Sequence, residues 1–175
     1  MASPAFMGVC PIAAGHGQAY DLSMKTILTP VDFSAATRGV LTAAVELARL
    51  TGGRLVLLHS IQYPVVTTDY GLTPDVMQQT MAINETAARK QIAHLEKSIA
   101  AKGVEVSSRL GSGFAAGSIV EAARKVRASY IVLGSHGHTA FYDLLVGSTT
   151  HAVLKKAPCP VVVVPPVRKK AAGKR

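Results

Sequence analysis

The sequence predicts an α/β fold: a doubly wound, five-stranded parallel sheet with helices on both faces. Short apolar runs alternate along the chain with longer segments of helical periodicity. The runs Leu55–Leu58, Tyr130–Leu133 and Val161–Val164 are continuously apolar, as in strands covered on both faces. Glycine and proline punctuate the joints.

The first strand is Lys25-Thr26-Ile27-Leu28-Thr29-Pro30, leading into Val31-Asp32-Phe33-Ser34. Ser34 is placed to cap a helix over about Ala35–Leu50, whose stripe is Val40, Leu41, Ala44, Leu47 and Ala48. Gly52-Gly53 stops it. The second strand is Leu55–His59, followed by a loop over Ser60–Leu72 with Pro64, Asp69 and Gly71. Thr73-Pro74 opens a long helix to about Lys102, where Gly103 ends it. A third strand over Val104–Leu110 reaches a glycine-rich turn, Gly111–Gly117, and then a helix over Ser118–Arg127. The fourth strand, Tyr130–Leu133, a long glycine-bearing loop and a helix from Gly147-Ser148 to about Ala157 come next. Pro160–Pro165 is the last strand.

At 175 residues the chain fits one domain with a substantial core. It divides into an extension over 1–23, a folded domain over 24–167 and a basic tail over 168–175. The extension lacks the basic start and long apolar centre of a secretory signal, and both Met1 and Met24 are candidate starts. No apolar run approaches the ~18 residues of a membrane span. Cys10 and Cys159 show neither metal-ligand nor disulfide spacing, so a reducing, cytoplasmic setting is expected, with Cys159 a small buried hydrophobe. Five of the basic residues behind the net charge of +9 form the tail Arg168, Lys169, Lys170, Lys174 and Arg175. Without a basic stripe interleaved with aromatics, no specific nucleic-acid partner is expected.

The chemistry concentrates after the fourth strand. Gly134 and Gly137 permit turns and close approach of a ligand to the main chain. Gly147-Ser148 opens a helix, where unpaired N–H groups and the macrodipole favour an anion. These are two walls of a phosphate cradle. In a doubly wound sheet, ligands bind beyond the carboxyl ends of the strands. Pro30–Ser34, His59-Ser60 and the cradle all fall at such ends.

The spacing glycine, two residues, glycine, nine residues, glycine, serine resembles the nucleotide-binding motif of the universal stress protein family. The resemblance extends over about residues 24–166. It includes Lys25-Thr26-Ile27-Leu28-Thr29-Pro30-Val31-Asp32-Phe33-Ser34, Leu57-Leu58-His59 and the closing Pro158-Cys159-Pro160-Val161-Val162-Val163-Val164. It implies an adenine nucleotide alpha hydrolase-like fold and membership of the ATP-binding branch. By position it implies that Asp32 contacts the ribose or helps hold Mg²⁺ (or Mn²⁺), with Pro30 and Val31 lining the nucleoside pocket. It implies that Ser60, just after the second strand, offers its backbone to the adenine edge. The resemblance further implies that Leu133, Gly134, Ser135, His136, Gly137 and His138 wrap ribose and phosphates, and that Gly147, Ser148 and Thr149 donate to the phosphates. It also implies a homodimer in which Val161–Val164 meet across a two-fold axis, which matches an apolar edge strand in need of cover.

Other residues have plainer readings. His59 reads as a buried, hydrogen-bonded core histidine, while His136 and His138 fill loop positions or act on phosphate. Met77 and Met81 read as packing residues, and Phe114 as a nucleotide cover, a surface residue or a core residue. The cradle holds no lysine or arginine, and Asp143 lies in its spacer with a solvated reading. Phosphoryl transfer needs groups that stabilise the transferring charge. The expected function is therefore an ATP-binding, stress-response regulator acting on an unknown protein partner, at most a slow hydrolase. The alternatives are a slow Mg-dependent ATPase using His136 or His138, and a module for another adenine nucleotide such as cyclic AMP.

Overall fold

The structure is a computed structural model that describes residues 24–62, 74–135 and 146–166. The expected extension over 1–23 and the basic tail over 168–175 lie outside these residues. The elements are β1 (Thr26–Pro30), α1 (Thr37–Thr51), β2 (Arg54–Ile61), α2 (Pro74–Ala100), β3 (Val106–Ser112), α3 (Ala115–Lys125), β4 (Tyr130–Gly134), α4 (Ser148–Lys156) and β5 (Val161–Val164). The strands form one parallel sheet in the order β3-β2-β1-β4-β5. Helices cover both faces, as the continuous apolar strands predict.

Alternation along each strand divides the core in two. Ile27, Leu55, Leu57 and Val132 pack against Val40, Ala44 and Ala48 of α1 and Ile92 and Ile99 of α2. Leu28, Val56, Leu58, Ile131 and Leu133 point the other way, onto Ile119 and Ala123 of α3 and Val153 of α4. Cys159 packs at the margin of that second layer, half-buried, and burial pushes its thiol pKa up. That suits a packing residue and not a nucleophile. Among the described residues no helix is long and apolar enough to cross a membrane.

Several boundaries move from their expected places, each for a tertiary reason. Ser34 does not cap α1; the cap position is Ala36, and Ser34 Oγ accepts the Ala36 N–H at 3.3 Å. β3 runs two residues beyond its expected end because Gly111 and Ser112 continue the ladder opposite Ser60 and Ile61 of β2. The turn narrows to Gly113 and Phe114, because α3 takes Ala115–Gly117, and Ser118 N–H donates to the Phe114 carbonyl at 3.0 Å. Alanine at 115 and 116 favours helix over turn. The same ladder lengthens β2, so Ser60 lies inside the strand and not after it. Phe114, at the α3 cap position, is 90% exposed, so the surface reading holds and the core reading does not.

The end of α1 shows how a local glycine pair fixes a strand. Gly52 takes the left-handed conformation at φ 59°. Its N–H donates to Arg49 O at 3.4 Å, and Gly53 N–H donates to Ala48 O at 2.8 Å, the two bonds of a Schellman cap. Arg54 N–H then reaches Lys25 O at 2.8 Å and starts the β1–β2 ladder. Gly53 is needed because a β-carbon there would lie 2.5 Å from that same carbonyl. Gly53→Ala should therefore cost about 1–3 kcal/mol in urea unfolding, since backbone must shift to admit the methyl. Thr29 is the opposite case: wholly buried in β1, its Oγ1 has no hydrogen-bond partner. Thr29→Val keeps the shape and removes an unsatisfied hydroxyl, so it should raise stability by about 1 kcal/mol. A loss of stability would mean that the hydroxyl is satisfied in solution.

Candidate functional site

The strand order sets β1 beside β4, and the chain leaves them in opposite directions. α1 follows β1 onto one face, while α4 follows β4 onto the other. Such a switch point opens a crevice at the carboxyl ends of the strands. Here it is a cavity of about 410 Å³.

One wall is the junction of β4 and α4. Ser135 N–H donates to Val164 O at 2.8 Å, holding the end of β4 against β5. Gly147 N–H donates to Ser135 O at 2.7 Å, and Thr150 Oγ1 donates to Gly134 O at 2.8 Å. These two bonds pin the start of α4 to the end of β4. Gly147 occupies the cap position in extended conformation (φ −65°, ψ 159°), and no side chain caps the helix. The first amides of a helix have no acceptor within it. Gly147 was expected to donate to phosphate itself, but its N–H is committed to Ser135. The available donors begin one residue on, at Ser148 and Thr149, whose side chains are exposed at the same edge.

The opposite wall is the chain after β1. Val31 N–H donates to Leu58 O at 2.8 Å and carries the β1–β2 pairing one step beyond the strand. Asp32 Oδ1 then accepts the Ser34 N–H at 3.0 Å and the Thr37 Oγ1 hydroxyl at 3.2 Å. So Asp32 supports the entry into α1 as well as facing the cavity.

All the described residues expected at the site line this cavity. They are Pro30, Val31 and Asp32 after β1, Ser60 on β2, Leu133, Gly134 and Ser135 at the end of β4, and Gly147, Ser148 and Thr149 at α4. His136, Gly137, His138 and Asp143 lie outside the described residues. Sequence reasoning missed Thr37 and Val40 of α1, Gln62 after β2, Ala115 and Ile119 of α3, and Thr150. Thr37 and Ala115 open helices that follow strands, a position that topology alone marks out. His59 was expected in the core; it is half-buried and lines the cavity.

Chemically, the described lining is apolar on its flanks and rich in backbone groups and hydroxyls. Asp32 is the one carboxylate in it, and no lysine or arginine contributes. Among the described residues no group of three or more His, Cys, Asp or Glu side chains is placed to hold a metal. The positive end of α4 is the feature that favours an anion.

Comparison with known proteins agrees with this layout. A model of the universal stress protein family matches residues 24–165. Universal stress protein YxiE of Bacillus subtilis is 31% identical over 144 residues, which span 79% of this chain and 97% of the relative. Universal stress protein A homolog 1 of Coxiella burnetii is 30% identical over 143 residues, spanning 80% and 95%. The solved structure of UspA from Lactobacillus plantarum matches with a TM-score of 0.71 at 25% identity, covering 80% of this chain and 97% of its own. Two more distant structures share the fold. One is the universal stress protein from Archaeoglobus fulgidus in complex with dAMP (TM-score 0.54, 23% identity, covering 82% and 98%). The other is a universal stress protein in complex with cAMP (TM-score 0.53, 19% identity, covering 80% and 95%). On its sequence match and its sheet order alike, the chain belongs to the universal stress protein family.

Proposed function

We propose that this chain binds ATP with Mg²⁺ (or Mn²⁺) in the crevice between β1 and β4, and that it acts in the cytoplasm as a nucleotide-dependent regulator of the stress response. One observation carries the reading: the uncapped start of α4 is pinned against the end of β4 at the rim of the cavity. That arrangement presents backbone donors and a helix dipole to an anion. The dAMP and cAMP complexes of structural neighbours support an adenine nucleotide as the class of ligand. The lining fits: apolar Val31, Val40 and Leu133 suit a base and ribose, and Asp32 suits a ribose hydroxyl. With no lysine or arginine among the described lining, a divalent ion would offset the triphosphate charge, and Asp32, the one carboxylate of that lining, would help to hold it.

The same lining argues for binding over turnover. The described residues that line the cavity include neither a lysine or arginine to stabilise a transferring phosphoryl group nor a second carboxylate to orient water. Bound nucleotide stabilises the state that holds it, and a partner that distinguishes the two states reads that difference. We place the dimer contact at β5, an edge strand whose Val162 is 38% exposed.

The site has a selective test in Ser148→Pro. Residue 148 is the first of α4, where proline is tolerated, and Gly147 already has the extended backbone that a following proline requires. The variant should fold with unchanged stability and bind Mg-ATP about tenfold or more weakly, because one charge-assisted donor is lost. Equal affinity would place the phosphates elsewhere. For the wild type, Mg-ATP at 100 times its dissociation constant should add roughly 2.7 kcal/mol of thermal stability. If only cyclic AMP shifts the melting curve, the crevice is right and the ligand is not ATP. Val162→Lys should convert the dimer to a monomer in analytical ultracentrifugation, and a wild type that is already monomeric refutes the β5 contact.

A further inference from the structure

The turn that carries Asp32 has an unusual residue beside it. Phe33 has φ 59°, a left-handed conformation that a bulky aromatic side chain rarely adopts. Such backbone strain persists only where the surroundings enforce it, and it clusters at ligand clamps. The enforcing contact is visible. The Phe33 ring lies on the His59 ring, with centroids 4.4 Å apart and planes 36° from parallel. His59 is itself pinned, because its Nδ1 lies 2.9 Å from the Val31 carbonyl oxygen. A carbonyl only accepts, so Nδ1 carries the proton and the imidazole has one tautomer when neutral.

His59 therefore grips the residues on both sides of Asp32: the carbonyl of Val31 before it and the ring of Phe33 after it. Val31, Asp32 and His59 line the cavity, whereas Phe33 does not and acts from behind. We propose that Phe33 and His59 form a clasp that positions Asp32 for the nucleoside end of the ligand. They are positioning residues, and the clasp rests on the reading of the crevice as a nucleotide site. Without the ring contact, residue 33 relaxes to an ordinary backbone conformation. The Asp32 carboxylate then leaves the orientation in which it accepts from Ser34 and Thr37.

The test has a ligand-free arm and a binding arm. In ¹⁵N-histidine NMR of the free protein, His59 should show a protonated Nδ1 in its neutral form; a protonated Nε2 overturns the clasp. In the binding arm, Phe33→Leu and His59→Leu should each weaken Mg-ATP binding about tenfold. The double variant should be no weaker than either single, because the two act as one device. Phe33→Tyr keeps the ring and should bind within about twofold of the wild type. Tripolyphosphate, which lacks a nucleoside, should bind all of these variants equally. A general loss of folding would weaken both ligands, so equal weakening of tripolyphosphate overturns a positioning role. Additive losses, or wild-type affinity in Phe33→Leu, overturn it as well. A wild type that binds no ATP removes the nucleotide reading, and the NMR arm then decides the clasp alone.

Discussion

The short ladder between β1 and β4 is the constraint on which the molecule depends. It pairs Ile27 with Tyr130 and Leu28 with Ile131. Those pairs join the half of the sheet built from β1, β2 and β3 to the half built from β4 and β5. All four residues but Tyr130 are wholly buried, so the join lies at the centre of the core. Beyond it β1 ends at Pro30, which has no N–H to continue the ladder. The two strand ends are then free to part, and the crevice opens there. Core and site are thus two consequences of one pairing.

The wall at the junction of β4 and α4 is held together through main chain. Gly134, Ser135 and Gly147 are linked through carbonyl and amide groups, with the Thr150 hydroxyl closing the set. This spends the Gly147 amide on structure and leaves the next amides of α4 facing the cavity. Backbone donors at a helix start suit an anion without a side-chain charge of their own. Among the described residues that line the cavity there is no lysine or arginine.

Much of this was legible in the sequence, and the reason is periodicity. Continuous apolar runs at Leu55–Leu58, Tyr130–Leu133 and Val161–Val164 separate a two-faced parallel sheet from a half-exposed one. Asp32, just past a strand end, and Ser148, at a helix start, line the crevice at the carboxyl ends of the strands, where topology and motif both point. The failures share a different cause. Ser60 and Gly111 were assigned to loops from local composition, yet cross-strand pairing outweighs turn propensity and keeps both in the sheet. His59 looked like a core residue because its neighbours in sequence are apolar. It lines the crevice, and its partners there are Val31 and Phe33, which are distant in sequence and close only in the fold. Ser34 looked like a cap, but Asp32 claims its N–H and Thr37 begins the helix. Contacts that need the third dimension are what one-dimensional patterns omit.

The most direct measurement of the central claim is a crystal structure with Mg²⁺ and a non-hydrolysable ATP analogue. The account predicts the triphosphate at the start of α4, within hydrogen-bond reach of the Ser148 and Thr149 amides. The ribose should face Asp32, and the base should lie between Val31 and the backbone of Ser60. Nucleotide bound away from the β1–β4 crevice, or a crevice that stays empty at saturating ligand, would contradict it.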